Sequence, residues 1–530
     1  MKLILFAKRL IRALEDPKIG FGNYILTFVF VMTLRNFLEM FSDNENISFL
    51  LFSHYYLSYI CLAMALIVLF YFAVKQKVES IARVVLPFFI VLVLAPMLDL
   101  IISLGKGHDI SYMLPGKHEN LLRRFFTYFG PYEDFGVSPG MRIEIGLVLV
   151  MCTIYFYIKT ENILRSLLFC FLSYSLIFFY GMMPYVVKYV LSVFGLEFSY
   201  SAVVMRNFYL LLIFILTPWL YYLHNRKHCI EILKDLRYLR VLHFVLMSVL
   251  GIVLSQNNFE LTDDTLFHLI FMAAAILFAS LFSLITNNLV DYDIDKITNK
   301  KRPSVSKTLS TAHYMKLAWI AFILAMVYSL AISFTTMFLI LLFIAIYFLY
   351  SMPPFRLKRV PVFSKFLIAL NSLVIFISGY LLVGGKMDLP FNIIAFCFVG
   401  FTAVINFIDI KDYEGDKIVG IKTLPTMLGV KRSKQVIGLF FLMVYPLSYF
   451  VLNDTVLLIP SIITGLVIFF LVNRKDYDER PIFIVYLASI IMLIIYLVMF
   501  AGMPGTEHTS WPMEPAFGTA LELVFTHSLS

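Results

Sequence analysis

The stretch Thr265–Asp295 reads TLFHLIFMAAAILFASLFSLITNNLVDYDID, and its two halves decide the fold. Residues 265–286 hold no Asp, Glu, Lys or Arg, and a run of about 20 apolar residues is what a helix needs to cross a bilayer core. The run then stops, and three carboxylates, Asp291, Asp293 and Asp295, follow within a few residues. A bilayer-crossing helix that delivers a cluster of acids to one membrane face is the unit from which the rest of the chain can be read.

The same kind of run recurs throughout. Of 530 residues, 61% are apolar and 15% charged, against roughly 45–50% and 25% in soluble domains. This excludes a soluble enzyme and an intrinsically disordered chain. About fifteen runs of suitable length are found, near 21–41, 52–74, 81–104, 143–159, 164–190, 203–223, 240–256, 265–286, 312–332, 334–350, 362–384, 390–408, 434–452, 455–472 and 481–501. The expected fold is therefore an all-α polytopic membrane helix bundle. Six helices fall in a domain of residues 1–230 and nine in a domain of residues 235–501, with an irregular tail at 502–530. Met1–Leu14 is a short amphipathic basic segment without a small-residue cleavage site, so a removable signal peptide is not expected.

Charge orients the bundle. The net charge is +9, from 43 Lys and Arg against 34 Asp and Glu. With the N-terminus inside, 33 of the 43 basic residues lie in cytoplasmic segments or at the span ends beside them. The opposite orientation would invert the positive-inside rule. The expected topology is N-terminus inside and C-terminus outside, and the basic excess is a topology signal rather than a nucleic-acid footprint. Five cysteines, with no Cys-x-x-Cys pair, read as core filling rather than as a disulfide or zinc framework.

Two cytoplasmic loops of the second half carry chemistry. In the first, Asn287, Asp291 and Asp295 are spaced by four and are followed by Arg302-Pro303. On a continuing helix they share one face. In the second, Asp409, Asp412 and Asp416 precede Gly420-Ile421-Lys422-Thr423-Leu424-Pro425. Like charges at this spacing repel, and a divalent cation offsets the repulsion. Carboxylates without Cys or His select hard ions, and Mg²⁺ takes a few carboxylates together with waters and phosphate oxygens. Two such clusters on one face read as a diphosphate site bridged by Mg²⁺.

These motifs resemble those of the UbiA-type intramembrane prenyltransferases. Asn-x3-Asp-x3-Asp after the second helix of a nine-helix unit is similar to the family's first motif. Asp-x3-Asp-x3-Gly-Ile-x-Thr-Leu-Pro after the sixth is similar to its second. Between them, the loop Tyr350 to Arg359 resembles the loop after helix four, and Arg302-Pro303 the Arg-Pro that follows the first motif. The resemblance covers about residues 235–501. It implies transfer of an isoprenyl chain from a polyprenyl diphosphate to an aromatic or lipid acceptor, at the cytoplasmic side of the cell (inner) membrane. Asp291, Asp295, Asp412 and Asp416 would then hold Mg²⁺, with Asn287 and Asp409 in support and Arg302, Lys358 and Arg359 on the phosphates. Two departures stand out: Asn288 where many members carry Asp, and the additional acid Asp293, which falls on another face and reads as a solvated charge.

Residues 1–230 carry no comparable motif. Their intramembrane charges are Arg35 and Glu39, Asp99, Lys188 and Arg206, and charge within a span is costly and usually paired or functional. Two readings follow: structural pairs Arg35–Glu39 and Asp99–Arg206, or a second polar site near the loop 105–142. Two other functions compete with prenyl transfer. One is a terpene cyclase on the same scaffold, and the other is a transporter or lipid-handling protein.

Overall fold

The computed structural model describes residues 2–42, 49–108, 112–115, 120–130, 137–255, 262–292, 295–296, 302–303, 305–306, 308–360, 362–384, 389–452 and 454–500. Asp293, the Lys300-Lys301 pair and the tail 502–530 lie outside them. Among the described residues every regular element is a helix. Among them fourteen helical segments are long and apolar enough to cross a membrane. The fifteenth expected run, 434–452, is helical as well, within Val430–Leu452.

Local chemistry sets the helix ends. Ser333, in extended backbone, ends the helix Thr311–Ile332 and caps Phe334–Ser351 by accepting from the Thr336 N–H. One capping serine thus separates two spans. Ser138, with Pro139 at the first helical position, starts Pro139–Thr160. Two expected runs are broken. Run 81–104 is Val78–Phe88, a 3₁₀ turn Phe89–Val93 and Leu94–Ile102, with Pro87 and Pro96 in the segment. Run 164–190 ends at Gly181, and Lys188 lies exposed on a separate short helix, Met183–Val193.

The chain forms two compact units, Met1–Asp235 with Thr262–Phe271, and Leu236–Leu261 with the chain from Met272 on. In the first unit, Phe28, Met32, Phe70, Ile81, Phe89 and Phe156 belong to one buried apolar cluster. Arg35 and Glu39 form a buried ion pair at 2.9 Å, as expected. The second expected pair is not made. Asp99 accepts from the Ser138 hydroxyl and the Gly140 N–H, while Arg206 donates to Asn207 and faces Asp264. The serine and the free N–H at the start of Pro139–Thr160 supply donors to Asp99 that sequence spacing does not reveal.

In the second unit, Tyr238–Ser255 and Phe363–Gly384 pack backbone to backbone. A Cβ on Gly251 would sit 2.1 Å from the Phe376 carbonyl oxygen, and one on Gly379 would sit 1.9 Å from that of Ser248. Small residues at the crossing permit this approach, a common device between membrane helices.

Candidate active site

The first acidic motif continues the helix Asp263–Val290. The Asp291 N–H donates to the Asn287 carbonyl at 2.9 Å and the Asp295 N–H to that of Asp291 at 2.8 Å, so one helical face carries all three side chains. Asp291 and Asp295 are 8% and 4% exposed, and buried carboxylates need partners. Arg356 donates to Asp291 at 2.6 Å, and Lys358 takes its other oxygen. Lys358 also donates to Asn287 at 3.3 Å, and the Ser351 hydroxyl does so at 2.8 Å. Arg356 has left-handed backbone (φ 43°) where the chain enters the 3₁₀ turn Leu357–Arg359.

Asp295 pairs with Arg302. Arg302 is anchored in turn by the fully buried Asn288, which accepts from it at 2.9 Å and donates to the Tyr314 hydroxyl at 3.1 Å. Asparagine serves here because it both accepts and donates, whereas an ionised carboxylate could only accept. Burial holds the Asp295 carboxyl above the ordinary aspartate range, with Asp291 adding to the shift and Arg302 opposing it. Burial also lowers the Lys358 ammonium below the usual lysine range, and Asp291 opposes that shift.

The second motif is helical too. The span from Phe391 passes through a 3₁₀ turn, Ile405–Ile408, into Asp409–Val419. Gly420 ends this helix in the left-handed region (φ 76°), and the Ile421 N–H returns to the Asp416 carbonyl at 2.9 Å. Asp409 is paired with the buried Lys365, and its second oxygen is buried without a partner among the described residues. Asp416 is hydrogen-bonded to Thr423 and stands in the field of Asp409 and Asp412. Lys411 pairs with Glu479 at 2.5 Å rather than with a motif acid.

The two motifs share a basic neighbour. Arg237, just before the helix Tyr238–Ser255, lies in electrostatic reach of Asp295 in the first motif and Asp412 in the second. Arg240, one turn on, faces Asp412, Tyr347 and Tyr350. Arg359 is the exception among the expected site residues: it is exposed and, among the described residues, makes no ion pair with the motif acids. Four cations beyond those expected surround the acids: Arg237, Arg240, Arg356 and Lys365. Lys365 was discoverable as a charge inside an apolar run, whereas Arg237 and Arg240 look like any positive-inside residues.

The donor set suits Mg²⁺. All candidate ligands are oxygens, Asp409 keeps one buried oxygen unbonded, and Asp412 and Asp416 stand one helical turn apart. Among the described residues no three His, Cys, Asp or Glu converge as a ready-made cage.

Fold and site together define a polytopic helical membrane protein with paired acidic clusters, ringed by cations, at one end of its second unit. Residues 244–490 match the model of the UbiA prenyltransferase family. The digeranylgeranylglyceryl phosphate synthase of Thermococcus sibiricus is 31% identical over 161 residues, 30% of this chain and 54% of that one. That of Methanobrevibacter smithii is 25% identical over 249 residues, 44% and 86% of the two chains. A probable chloroplastic homogentisate phytyltransferase 2 of Oryza sativa subsp. japonica is 32% identical over 161 residues, 28% and 41%. The chain spans about half the length of the first of these relatives. A UbiA homologue of Archaeoglobus fulgidus, solved with GPP and Mg²⁺, matches 51% of this chain and 99% of its own at 22% identity and a TM-score of 0.43.

Proposed function

We propose that the second unit transfers an isoprenyl chain from a polyprenyl diphosphate to an aromatic or lipid acceptor within the membrane, with Mg²⁺ as cofactor. The observation that carries this reading is the placing of Arg237 toward an acid of each motif. It supports reading the two clusters as parts of one site. Relatives named for a glyceryl phosphate lipid product and for homogentisate phytylation support the reaction class and leave both acceptor types in play. Residues 1–230 form a separate domain, and the concentration of basic residues beside the motifs favours a cytoplasmic site at the cell membrane.

In this reading Asp291, Asp295, Asp412 and Asp416 hold the metal, and Asn287 and Asp409 support them. When bound, Mg²⁺ offsets the charge that develops on the departing diphosphate. Arg302, Arg356 and Lys358, now engaged with carboxylates, turn to the phosphate oxygens, guanidinium as a fork and ammonium as a point charge. The allylic chain lies in the bundle interior, where exclusion of water protects a developing carbocation. The aromatic faces of Tyr347 and Tyr350 stand near the charged rim and favour positive charge.

The test is incubation of membranes holding the full-length chain with radiolabelled geranylgeranyl diphosphate, Mg²⁺ and candidate acceptors. Acceptor-dependent diphosphate release and a labelled lipid product are expected, with a fall on the order of 100-fold in Asp412→Asn. Release without any acceptor would favour a cyclase. No release from donors of any length, with folded protein, overturns the proposal.

A further inference from the structure

The first unit contains a feature that prenyl transfer leaves unused: a cavity of about 420 Å³. Its wall changes character along its length. On the helix Phe49–Val74 the lining runs from Tyr55, Ser58 and Tyr59 to Leu62, Leu66 and Phe70, a spacing of three and four that keeps them on one face. On Pro139–Thr160 it runs from Glu144 through Val148 and Cys152 to Tyr155. Phe70 stacks on Tyr155 with ring centroids 5.4 Å apart, so the apolar ends of the two helices coincide. From Tyr55 to Phe70 at 1.5 Å per residue is roughly 22 Å. The cavity is therefore long, polar at one end and apolar at the other.

The polar end is short of positive charge. Glu144 is 6% exposed and faces three buried charged groups: Arg35, Glu39 and Asp99. Arg35 is committed to Glu39 at 2.9 Å, with its guanidinium 5.0 Å from the ring of Tyr59 and 5.6 Å from that of Tyr55. Asp99 is satisfied by Ser138 and Gly140. Glu144 accepts one backbone bond, from Ala95 at 3.2 Å. Of these groups Arg35 and Glu144 line the cavity, and among the described residues Glu144 has no cation of its own, a costly state inside a bilayer. His54, 1% exposed, also lines this end. Its Nε2 bonds the Tyr112 hydroxyl at 2.9 Å, and its Nδ1 is buried with no partner among the described residues.

We propose that this cavity binds an amphipathic amine, a hydrocarbon chain ending in an ammonium group. The head donates to the Glu144 carboxylate and to His54 Nδ1. The tail lies along Leu62, Leu66 and Phe70. The site is built wholly within the first unit and is independent of the prenyl transfer reading.

The test is native mass spectrometry of the full-length chain in a non-ionic detergent, with dodecylammonium, dodecanol and dodecanoate as probes of equal tail length. Expected is a saturable one-to-one adduct with dodecylammonium, held at least about tenfold more tightly than dodecanoate. In Glu144→Gln the preference for the ammonium over the alcohol disappears, and in Leu66→Trp, which fills the apolar end, all adducts weaken. The head-group ranking is read on the unmodified chain, so a variant that fails to fold does not shield the proposal. Equal or tighter binding of dodecanoate, absence of a saturable adduct, or undiminished binding to folded Leu66→Trp overturns it.

Discussion

Lys365 and Asp409 offer the sharpest test of how the charged end of the second unit is built. Lys365 is 5% exposed and Asp409 7%, and each is the other's ion-pair partner. Asp409 has no reserve, because its second oxygen is already buried and unbonded. Replacing Lys365 by Met keeps the aliphatic volume and removes the ammonium, leaving an uncompensated carboxylate beside Asp416, a second acid. Breaking a buried pair on one side costs about 3–5 kcal/mol, whereas replacing both partners is often close to neutral. Lys365→Met should therefore shift the folding equilibrium by roughly two to almost four powers of ten. Lys365→Met with Asp409→Asn should be more stable than the sum of the single changes predicts, by about 2 kcal/mol or more. The assay is reversible unfolding of the purified chain in mixed micelles, without substrate or Mg²⁺, so that a role in catalysis does not enter. A single Lys365→Met variant within about 0.5 kcal/mol of the parent, or a strictly additive double variant, would refute the reasoning.

Three further outcomes follow from the same geometry. Gly251→Ala should destabilise the second unit by about 1–3 kcal/mol or prevent its folding, because the new methyl group meets the backbone of Phe376 rather than a yielding side chain; the melting temperature in detergent measures this. Asn288→Leu should release Arg302 and orphan the Tyr314 hydroxyl, costing about 1–3 kcal/mol and raising the KM for the diphosphate donor in steady-state assays. The pH profile should respond to Arg302: Asp295 is already raised by burial and Arg302 opposes that shift. Without the guanidinium, in Arg302→Gln, the carboxyl stays protonated to higher pH and the acid limb of activity moves upward, which a profile of kcat/KM against pH reads directly.

How much of this was legible beforehand depends on the range of the physics involved. The apolar runs foretold the spans because crossing a bilayer imposes a length and a composition on each helix by itself. Helix ends were less visible. The boundary at Ser333 rests on one hydroxyl capping Thr336, and the break after Gly181 places Lys188 on the separate helix Met183–Val193. The acidic motifs were legible because their spacing is local and helical, and the backbone bonds from Asn287 through Asp295 preserve it. Their partners were not. Asp291 meets residues 65 and 67 positions away, and Asp409 meets one 44 positions away. No periodicity encodes such separations.

The pairing also changes what the acidic motifs mean. From sequence alone, carboxylates at a spacing of four carry a repulsion that a metal must relieve. In the folded chain Asp291, Asp295 and Asp409 are each already met by a cation, so the bundle can form before any ion arrives. If Mg²⁺ and a diphosphate donor bind here as proposed, they must compete with Arg356, Lys358 and Arg302 for those oxygens. A negatively charged diphosphate eases the exchange, because each cation released from a carboxylate finds a phosphate oxygen in its place. This coupling predicts that Mg²⁺ and diphosphate bind cooperatively: Mg²⁺ alone should bind weakly to the parent and more tightly to Lys358→Met, in which Asp291 has lost one competitor. Titration calorimetry of Mg²⁺ with and without inorganic diphosphate measures both. Equal Mg²⁺ affinity in the parent and in Lys358→Met would show that Asp291 is not a metal ligand and that its pairing with Lys358 is structural.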